Sequence, residues 1–263
     1  DILKEAITLS QNGVKELNII AQDTTYYGVD LFGKSQLATL LRELSDLNKF
    51  DWIRLLYTYP LNFPTEVLDI INERKNICKY IDIPLQHASS TILKAMKRKM
   101  NLEQTSYLID LIRDKIPNVA IRSTFIVGFP GETEKDFQQL YDFIIEKKLD
   151  RVGIFTYSRE EDTNAYELGD TIPEKVKQER RDILMKAQMQ TSLNKNKSII
   201  GKQMKVIIDE RADKITYYGR TEYDAPEVDN AVIIKSKSKI PVGSFQIIKI
   251  IDAKEYDLIG QKI

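Results

Sequence analysis

The residues best suited to binding a small molecule lie in one short stretch, residues 122–133, which reads RSTFIVGFPGET. Its first half is rich in β-branched and aromatic residues and predicts a strand, which ends in a turn that contains Gly128 and Gly131. Thr133, with Asp136 three residues later, resembles a helix capping box, so the turn is expected to present free backbone N–H groups beside a strand end. Ligands bind at that edge of parallel sheets. The alternative is a tight strand-to-helix connection that binds nothing.

The chain has one cysteine, Cys78, and one histidine, His87. Together they can neither complete a tetrahedral metal site nor hold an iron–sulfur cluster, so we predict no metal ligands and no catalytic side chain within these residues. Chemistry that needs such a group must obtain its ligands elsewhere. Cys78 is expected to be a small buried hydrophobic residue at a helix-to-strand junction.

The elements that must position these residues alternate along residues 1–172. Strands are predicted at residues 17–21, 52–57, 80–85, 119–127 and 152–157, and amphipathic helices at residues 2–11, 35–47, 64–73, 90–96, 102–115 and 134–147. Such alternation predicts an α/β fold with a parallel sheet and right-handed crossovers, either an α/β barrel or part of one. Because no strand precedes the first helix, we expect that strand to lie upstream and the barrel to be incomplete.

The pattern changes after residue 172. A polar helix with Pro173 in its first turn is predicted at residues 173–197 and is expected to link two domains. Five short strands in residues 198–263 predict a small antiparallel β-barrel. Acidic residues crowd one of its loops, at Glu222, Asp224, Glu227 and Asp229. We expect that loop either to meet a basic protein partner or to be a solvated turn, and to repel a nucleic-acid backbone.

The overall composition excludes several classes of protein. Lysine plus arginine equals aspartate plus glutamate at 39 each, so no net field draws the chain to nucleic acid. No apolar run approaches the roughly 18 residues that a membrane helix requires, and the first residues lack a signal-peptide pattern. These features predict a cytoplasmic protein without a membrane partner, and a monomer is the default expectation.

Five motifs in order resemble those of the radical S-adenosylmethionine (SAM) methylthiotransferase family. They are AQDTTYYG at 21–28, LLYTYP at 55–60, DIPLQHAS at 82–89, RSTFIVGFPGET at 122–133 and FTYSREEDT at 155–163. The resemblance covers essentially the whole chain and implies a partial, TIM-like radical SAM barrel followed by a TRAM β-barrel. The segment GRTEYDAPEVDN at 219–230 is similar to the branch of the family that methylthiolates the β-carbon of an aspartate in ribosomal protein twelve of the small subunit.

The resemblance implies S-adenosyl-L-methionine as cofactor and two [4Fe–4S] clusters in the full-length enzyme. In this family a C-x-x-x-C-x-x-C loop holds one cluster and three cysteines of an N-terminal domain hold the other, and neither motif occurs here. We therefore expect a fragment that binds no cluster and is inactive alone. The implied mechanism is reductive cleavage of the cofactor, removal of a hydrogen from the aspartate β-carbon, and delivery of sulfur by the second cluster.

The resemblance also implies a cofactor site. Its residues would be Gln22, Asp23, Gln86, Ser89, Arg122, Gly128, Phe129, Gly131, Phe155, Thr156 and Tyr157. Gln22 and Asp23 would hold the amino group of the cofactor, Gln86 and Ser89 the ribose hydroxyls, and Arg122 the carboxylate. The glycines and the residues with rings would line the adenine.

Each assignment has a structural alternative. Asp23 can form a turn with the two threonines that follow it, and Ser89 can cap a helix. Arg122 can pair with a buried carboxylate, because an unpaired guanidinium in an apolar strand is costly. The aromatic residues can belong to the core, and His87 can make a purely structural contact with the pocket wall. Arg98 is a weaker cofactor candidate, within a basic run that is otherwise a solvated helix end.

The sequence thus predicts a methylthiotransferase that acts on ribosomal protein twelve of the small subunit. Two alternatives stay open. A tRNA methylthiotransferase is disfavoured by the acidic loop, since that loop repels phosphates. A non-catalytic module that docks a ribosomal protein would need no cluster at all.

Overall fold

The computed structural model describes residues 1–263. Its first part is an arc of five parallel strands, and helices connect each strand to the next. The strands are β1 (Glu16–Ile19), β2 (Trp52–Leu55), β3 (Tyr80–Asp82), β4 (Ala120–Val127) and β5 (Arg151–Thr156). The helices are α1 (Ile2–Gln11), α2 (Val29–Phe32), α3 (Leu37–Asp46), α4 (Glu66–Glu73), α5 (Ser90–Ala95), α6 (Leu102–Lys115) and α7 (Glu134–Lys147).

The strands follow one another in chain order across the arc. β1 pairs with β2, and β3, β4 and β5 form a second ladder, with every pair parallel. A single bridge between Ile53 and Ile77 joins the two ladders. The predicted incomplete α/β barrel is therefore confirmed, because sequential parallel strands with helical connections are the unit from which such barrels are built.

The sequence determines which face of each strand is buried. In β4 the residues Ile121, Phe125 and Val127 join a core of 34 buried residues that lies between the strands and the helices. Side chains alternate along a strand, so Arg122 and Ile126 lie on the opposite, concave face of the arc. That concave face is where polar residues can meet a ligand or another part of the chain.

The predicted bounds hold better for helices than for strands. Three helices begin and end at the predicted residues, namely α1, α6 and α7. Capping boxes fix the starts of α6 and α7, where Asn101 pairs with Gln104 and Thr133 with Asp136. The first three strands end two or three residues early. After β2 and β3 the backbone bends into loops, which contain Tyr57 at φ 54° and Gln86 at φ 72°.

A single long helix, α8 (Glu174–Lys197), connects the arc to the rest of the chain. It was predicted as a link, but it also packs along α7 and β5, and five polar residues and one leucine on its inner side are buried. They are Lys177, Arg180, Leu184, Gln188, Ser192 and Asn196. No helix of the structure has both the length and the apolar character to cross a bilayer.

The last part of the chain is a closed five-stranded barrel with its own core of nine buried residues. Its strands are β6 (Gln203–Arg211), β7 (Thr216–Arg220), β8 (Val232–Lys235), β9 (Phe245–Ala253) and β10 (Leu258–Lys262). The small barrel predicted from the sequence is confirmed, with one difference in detail. β8 and β10 pair in parallel, whereas the other neighbours are antiparallel. An odd number of alternating strands cannot close without one parallel pair.

The acidic loop between β7 and β8 contacts the amino-terminal ends of the arc strands. Asp224 accepts hydrogen bonds from Arg151 Nε at 3.0 Å and Nη2 at 2.5 Å. Asp229 accepts from the Tyr80 hydroxyl at 2.5 Å and lies 3.4 Å from Arg122 Nε. The expectation that this loop docks a basic partner is therefore wrong for these acids. Buried guanidinium groups of the arc need carboxylate partners, and the loop supplies them.

A second set of ion pairs and an aromatic contact complete the junction between the two parts. Glu16 of β1 lies 2.9 Å from Arg54 Nε and 2.7 Å from Arg220 Nη2. Burial alone would raise the pKa of Glu16, but the hydrogen bonds and charges of these two arginines outweigh it and hold the pKa below its ordinary value. Trp52 meets Phe245 edge to face, with ring centroids 4.7 Å apart. The small barrel is therefore fixed against the base of the arc.

Candidate functional site

A cavity of about 480 Å³ opens at the carboxyl ends of β3, β4 and β5. This volume lies within the range of small-molecule sites in proteins. The lining residues with rings, amides or charges are Gln86, Lys97, Arg98, Phe129, Phe155, Tyr157, Glu160 and Asn164. Five of the residues predicted for the cofactor site therefore line one cavity. They are Gln86, Phe129, Phe155, Thr156 and Tyr157.

Aromatic rings form one wall of the cavity. Phe129 and Tyr157 meet edge to face, with centroids 5.2 Å apart, and Ile92 packs beneath them. The Tyr157 hydroxyl donates to the Ala165 carbonyl at 3.1 Å, which fixes the ring. Phe155 is 57% exposed and has no such support. A flat aromatic group such as a purine can stack on this wall, because aromatic faces and edges offer large contact area.

The Gln86 side chain lines the cavity and makes no hydrogen bond within the chain. Its backbone accounts for its placement. The Gln86 N–H donates to the Thr124 carbonyl at 2.9 Å, and the Gln86 carbonyl accepts from Ile126 N–H at 2.8 Å. These bonds hold Gln86 at φ 72°, a left-handed conformation that non-glycine residues seldom adopt. The amide is therefore held at the cavity with its donors and acceptor free for a ligand.

Arg98 brings a positive charge to the same cavity. Its guanidinium is half-buried, lies 5.6 Å from the centre of the Tyr59 ring, and donates to the Tyr59 hydroxyl at 3.3 Å. The two lysines beside it are exposed, as predicted for a solvated helix end. Because Arg98 has no carboxylate partner in the chain, it is the cation of this cavity best able to pair with an anionic group.

The turn after β4 does not direct the N–H groups of Gly128 and Phe129 to the cavity, contrary to the expectation from the sequence. Gly128 N–H donates to the Glu132 carboxylate at 2.6 Å, and Phe129 N–H donates to the same oxygen at 3.3 Å. Burial raises the pKa of Glu132, and Arg180 at 2.8 Å opposes that rise. Gly131 is exposed, at the outer side of the turn. The turn therefore contributes the Phe129 ring to the cavity instead of N–H donors.

Ser89 lies behind the cavity wall and does not line it. Its hydroxyl donates to Asp136 at 2.5 Å, and its N–H donates to His87 Nδ1 at 2.8 Å. Both side chains are buried, and burial lowers the pKa of His87 to about 4, so the imidazole is neutral at physiological pH. Ser89 and His87 thus make structural contacts that fix the loop carrying Gln86.

Gln22 and Asp23 follow β1 and lie outside the lining of this cavity. Asp23 accepts hydrogen bonds from Thr25 N–H at 2.9 Å and from the Thr25 hydroxyl at 2.5 Å, which caps the short 3₁₀ turn Thr24–Tyr26. The turn that the sequence offered as an alternative is therefore present. Gln22 is exposed at the start of the same loop.

Arg122 lies at the other end of β4 from the cavity. Its Nη1 donates to Asp82 at 2.9 Å, and its Nε lies 3.4 Å from Asp229. The buried ion pair that the sequence left open as an alternative to a cofactor contact is the arrangement found here. Asp82 also accepts from Tyr57 N–H at 3.1 Å, so this carboxylate joins β3 to the loop after β2. Arg122 belongs to the base of the arc.

Sequence reasoning missed three charged residues behind the cavity, Glu132, Lys177 and Arg180. Glu132 follows directly after the Gly-Phe-Pro-Gly turn, and a carboxylate so close to a turn can cap its N–H groups. Lys177 and Arg180 are three residues apart on α8 and therefore share one helix face. The surrounding residues of α8 are nearly all polar, so the sequence does not distinguish these two buried charged residues from the exposed ones.

Comparisons with known proteins agree with the fold and with the two-part organisation. Residues 1–144 match the family model of the radical SAM superfamily, and residues 200–263 match that of the TRAM domain. Coproporphyrinogen III oxidase (HemN) from Escherichia coli, a radical SAM enzyme, superposes with a TM-score of 0.57 at 13% identity. That superposition covers 83% of this chain and 56% of the oxidase and shows the fold alone.

Relatives with much higher identity bear the name ribosomal protein uS12 methylthiotransferase RimO. The protein from Cytophaga hutchinsonii is 49% identical over 262 residues, which are 99% of this chain and 60% of the relative. The protein from Clostridioides difficile is 51% identical over 260 residues, 99% of this chain and 59% of the relative. The resemblance found in the sequence is thereby confirmed. The chain spans about 60% of the length of these relatives.

The two kinds of comparison support each other. The radical SAM model covers more than half of the chain, and the matched residues contain β1 to β4 and α1 to α6, whereas β5 follows them. The chain belongs to the radical SAM superfamily.

Proposed function

We propose that this chain is the cofactor-binding and TRAM part of a methylthiotransferase that acts on ribosomal protein uS12, ribosomal protein twelve of the small subunit. The observation that carries the proposal is the cavity at the carboxyl ends of β3 to β5, in a chain about half identical to proteins of that name. The modified group is the β-carbon of an aspartate. The hydrogens on that carbon are too weakly acidic to be removed by ordinary acid–base catalysis, so a cofactor must perform the removal of a hydrogen.

The cavity fits S-adenosyl-L-methionine. Phe129, Phe155 and Tyr157 offer the adenine an aromatic wall, with Thr156 between the last two. Gln86 has an unpaired amide that suits the ribose hydroxyls. The cofactor supplies the one-electron chemistry when it is bound together with an iron–sulfur cluster. The protein contributes orientation of the ligand and exclusion of water from the aromatic wall.

The arrangement of charges suggests a revised partner for the cofactor's carboxylate. Arg122 already pairs with Asp82 and lies near Asp229. Arg98 lines the cavity and has no carboxylate partner. We therefore assign the carboxylate to Arg98. Gln22 and Asp23 remain candidates for the amino group only if the ligand extends beyond the cavity toward β1.

The proposal requires cluster ligands from outside these residues. One buried cysteine, Cys78, cannot hold a [4Fe–4S] cluster, which takes three or four thiolates. We propose that the whole enzyme uses two such clusters and that these 263 residues alone neither bind a cluster nor turn over. We further propose that the protein works as a cytoplasmic monomer.

A tRNA methylthiotransferase is the second candidate, and one observation now favours it more than the sequence did. The acidic loop faces the arc, where Asp224 and Asp229 neutralise arginines. These acids are therefore not at the outer surface of the small barrel, where they would offset the charge of its lysines. The argument that the acidic loop repels the phosphates of tRNA no longer applies to them.

Titration with S-adenosylhomocysteine by calorimetry tests the proposed site. Wild type should bind, whereas Gln86→Ala and Arg98→Met should each bind at least about tenfold more weakly, because each removes polar contacts to the ligand. Arg74→Met is a matched control, since Arg74 is partly exposed at the end of α4, outside the cavity lining, and pairs with Asp46. Absence of binding by wild type would refute the site.

Capture experiments separate the substrates. Immobilised chain should retain purified ribosomal protein uS12 at physiological salt and should lose tRNA as salt is raised. The opposite selectivity would favour the tRNA enzyme. Retention of uS12 by a chain that binds no S-adenosylhomocysteine would favour a docking module without catalysis.

A further inference from the structure

A buried carboxylate stands behind the cavity and holds the turn that forms its wall. The Glu132 side chain is wholly inaccessible to solvent, and neither Glu132 nor Arg180 lines the cavity. One Glu132 oxygen accepts from the backbone N–H groups of Gly128 and Phe129, at 2.6 and 3.3 Å. The other accepts from Arg180 Nη1 at 2.8 Å. The Glu132 carboxylate thus ties the turn that carries Phe129 to α8.

The same helix turn also holds the second aromatic wall residue. Lys177 Nζ donates to the Tyr157 carbonyl at 3.1 Å and to Asp170 at 2.6 Å. The Lys177 stem packs against Gly128, where any Cβ would overlap it. Phe129 and Tyr157 therefore meet each other because one face of α8 fixes the backbone behind both rings.

We propose that Glu132 and Arg180 are positioning residues for the adenosyl cofactor, and that they set its affinity by fixing the Gly128–Phe129 backbone without touching the ligand. The inference rests on the proposed function, since it needs the cavity to be the cofactor site. A charged acceptor is required here because a buried N–H pair is best satisfied by a carboxylate, and a buried carboxylate in turn needs a cation.

The charges that face Glu132 come from three elements. Arg180 belongs to α8, and His87, in the loop after β3, has its Nε2 at 3.8 Å. Asp136 of α7 lies beyond Ser89, to which it is hydrogen-bonded. His87 is neutral at physiological pH, and Nε2 has no hydrogen-bond partner. Arg180 is therefore the only cation that holds Glu132 ionised, and its removal should raise the pKa of Glu132 further.

The test uses the whole chain with selective ¹⁵N-glycine and ¹⁵N-phenylalanine labels, so that the Gly128 and Phe129 amides are observed directly. Arg180→Met should move both amide proton shifts and should displace their titration to higher pH than in wild type, because the charge that favours ionised Glu132 is lost. Glu132→Gln should move the shifts without any titration. Arg180→Lys, which keeps the charge, should restore the wild-type behaviour in large part. Arg181→Met is the matched control, because Arg181 is exposed and pairs with its neighbour Asp182.

Calorimetry with S-adenosylhomocysteine supplies the second readout. Arg180→Met and Glu132→Gln should each weaken binding by about tenfold or more, and Arg180→Lys by less than about threefold. Near-ultraviolet circular dichroism identifies variants that have lost their packing. If Arg180→Met or Glu132→Gln is among them, binding by Arg180→Lys is compared with binding by wild type instead. Normal binding by folded Arg180→Met, or amide shifts that do not respond to it, would overturn the inference. If wild type binds nothing, the proposed function fails first, and the cofactor role fails with it.

Discussion

Replacing Arg151 with methionine should destabilise the junction between the arc and the small barrel. The Asp224 side chain is 2% exposed and takes two hydrogen bonds from Arg151. Removing one partner of a buried ion pair costs about 3–5 kcal/mol, because it leaves a buried charge without compensation. The Thr221 hydroxyl still donates to Asp224 at 2.6 Å, and the carboxylate can take up a proton. We therefore expect the lower end, about 3 kcal/mol.

The single tryptophan of the chain makes this loss measurable. Trp52 lies against Phe245 across the junction, so its fluorescence reports separation of the two parts. A loss of about 3 kcal/mol should lower the Tm by about 6–12 °C, at roughly 2–4 °C per kcal/mol for a chain of this size. Adding Asp224→Asn to Arg151→Met should recover part of that loss, since it removes the uncompensated charge.

Lys205→Met is the matched control. Lys205 also pairs across the junction, with Asp51 at 2.8 Å, but the two side chains are 42% and 38% exposed. Exposed pairs contribute at most about 1 kcal/mol, so its Tm should change by only a few degrees. The reasoning is refuted if Arg151→Met melts within about 2 °C of wild type, or if the exposed pair proves equally costly.

Three further predictions follow from the contacts described above. Burial lowers the pKa of His87 from 6.5 to about 4, so its contribution is present above pH 6.5 and is lost as the pH falls toward 4. Between pH 7 and 4, wild type should lose about 3 kcal/mol more stability in urea than His87→Asn, and parallel losses would contradict this. The pKa of Glu16 is held below 4.5, so its contribution is present above that pH and is lost as the solution is acidified further. Glu16→Gln should lower the Tm at pH 7 and should flatten the acid side of the Tm profile, and an unchanged profile would argue against it. Gly128 and Gly131 both have positive φ, at 77° and 86°, but only at Gly128 would a Cβ meet another side chain. Gly128→Ala should therefore destabilise by about 1–3 kcal/mol more than Gly131→Ala in thermal unfolding, and equal losses would show that the space is not limiting.

The sequence predicted the fold well because its periodic signals are local. The strand at residues 119–127 and the helix that begins after Thr133 were identified by β-branched runs and by a capping box, and both occur. The five short strands of the small barrel carry the same kind of signal. Their exact pairing, including the parallel β8–β10 pair, depends on closure of the whole ring and has no local signature.

The site was harder to predict, because charge partners are distant in sequence. Arg122 was recognised as a guanidinium that needs an anion, but its partners Asp82 and Asp229 lie 40 and more than 100 residues away. Glu132 and Arg180 are separated by 48 residues and share two hydrogen bonds, one to the Glu132 carboxylate and one to its backbone carbonyl. Residue type indicates that a partner is needed, whereas only the packed chain indicates which one. Gln86 was predictable for the opposite reason, since a strand-end amide needs no partner within the chain.

The small barrel is joined to the arc covalently through α8 and is also held by the contacts of the junction, among them those of the loop that carries Asp224 and Asp229. A 24-residue helix is about 36 Å long, and each residue inserted into it would rotate its far end by about 100° and advance it by about 1.5 Å. Such a rotation would break the contacts between the loop and the arc. The length of α8 is therefore set by the orientation that the small barrel must have, and not only by the distance that the helix must span. The small barrel is therefore not a flexibly linked domain that moves independently of the arc. Whatever the small barrel binds is therefore held at a fixed distance and a fixed orientation relative to the cavity.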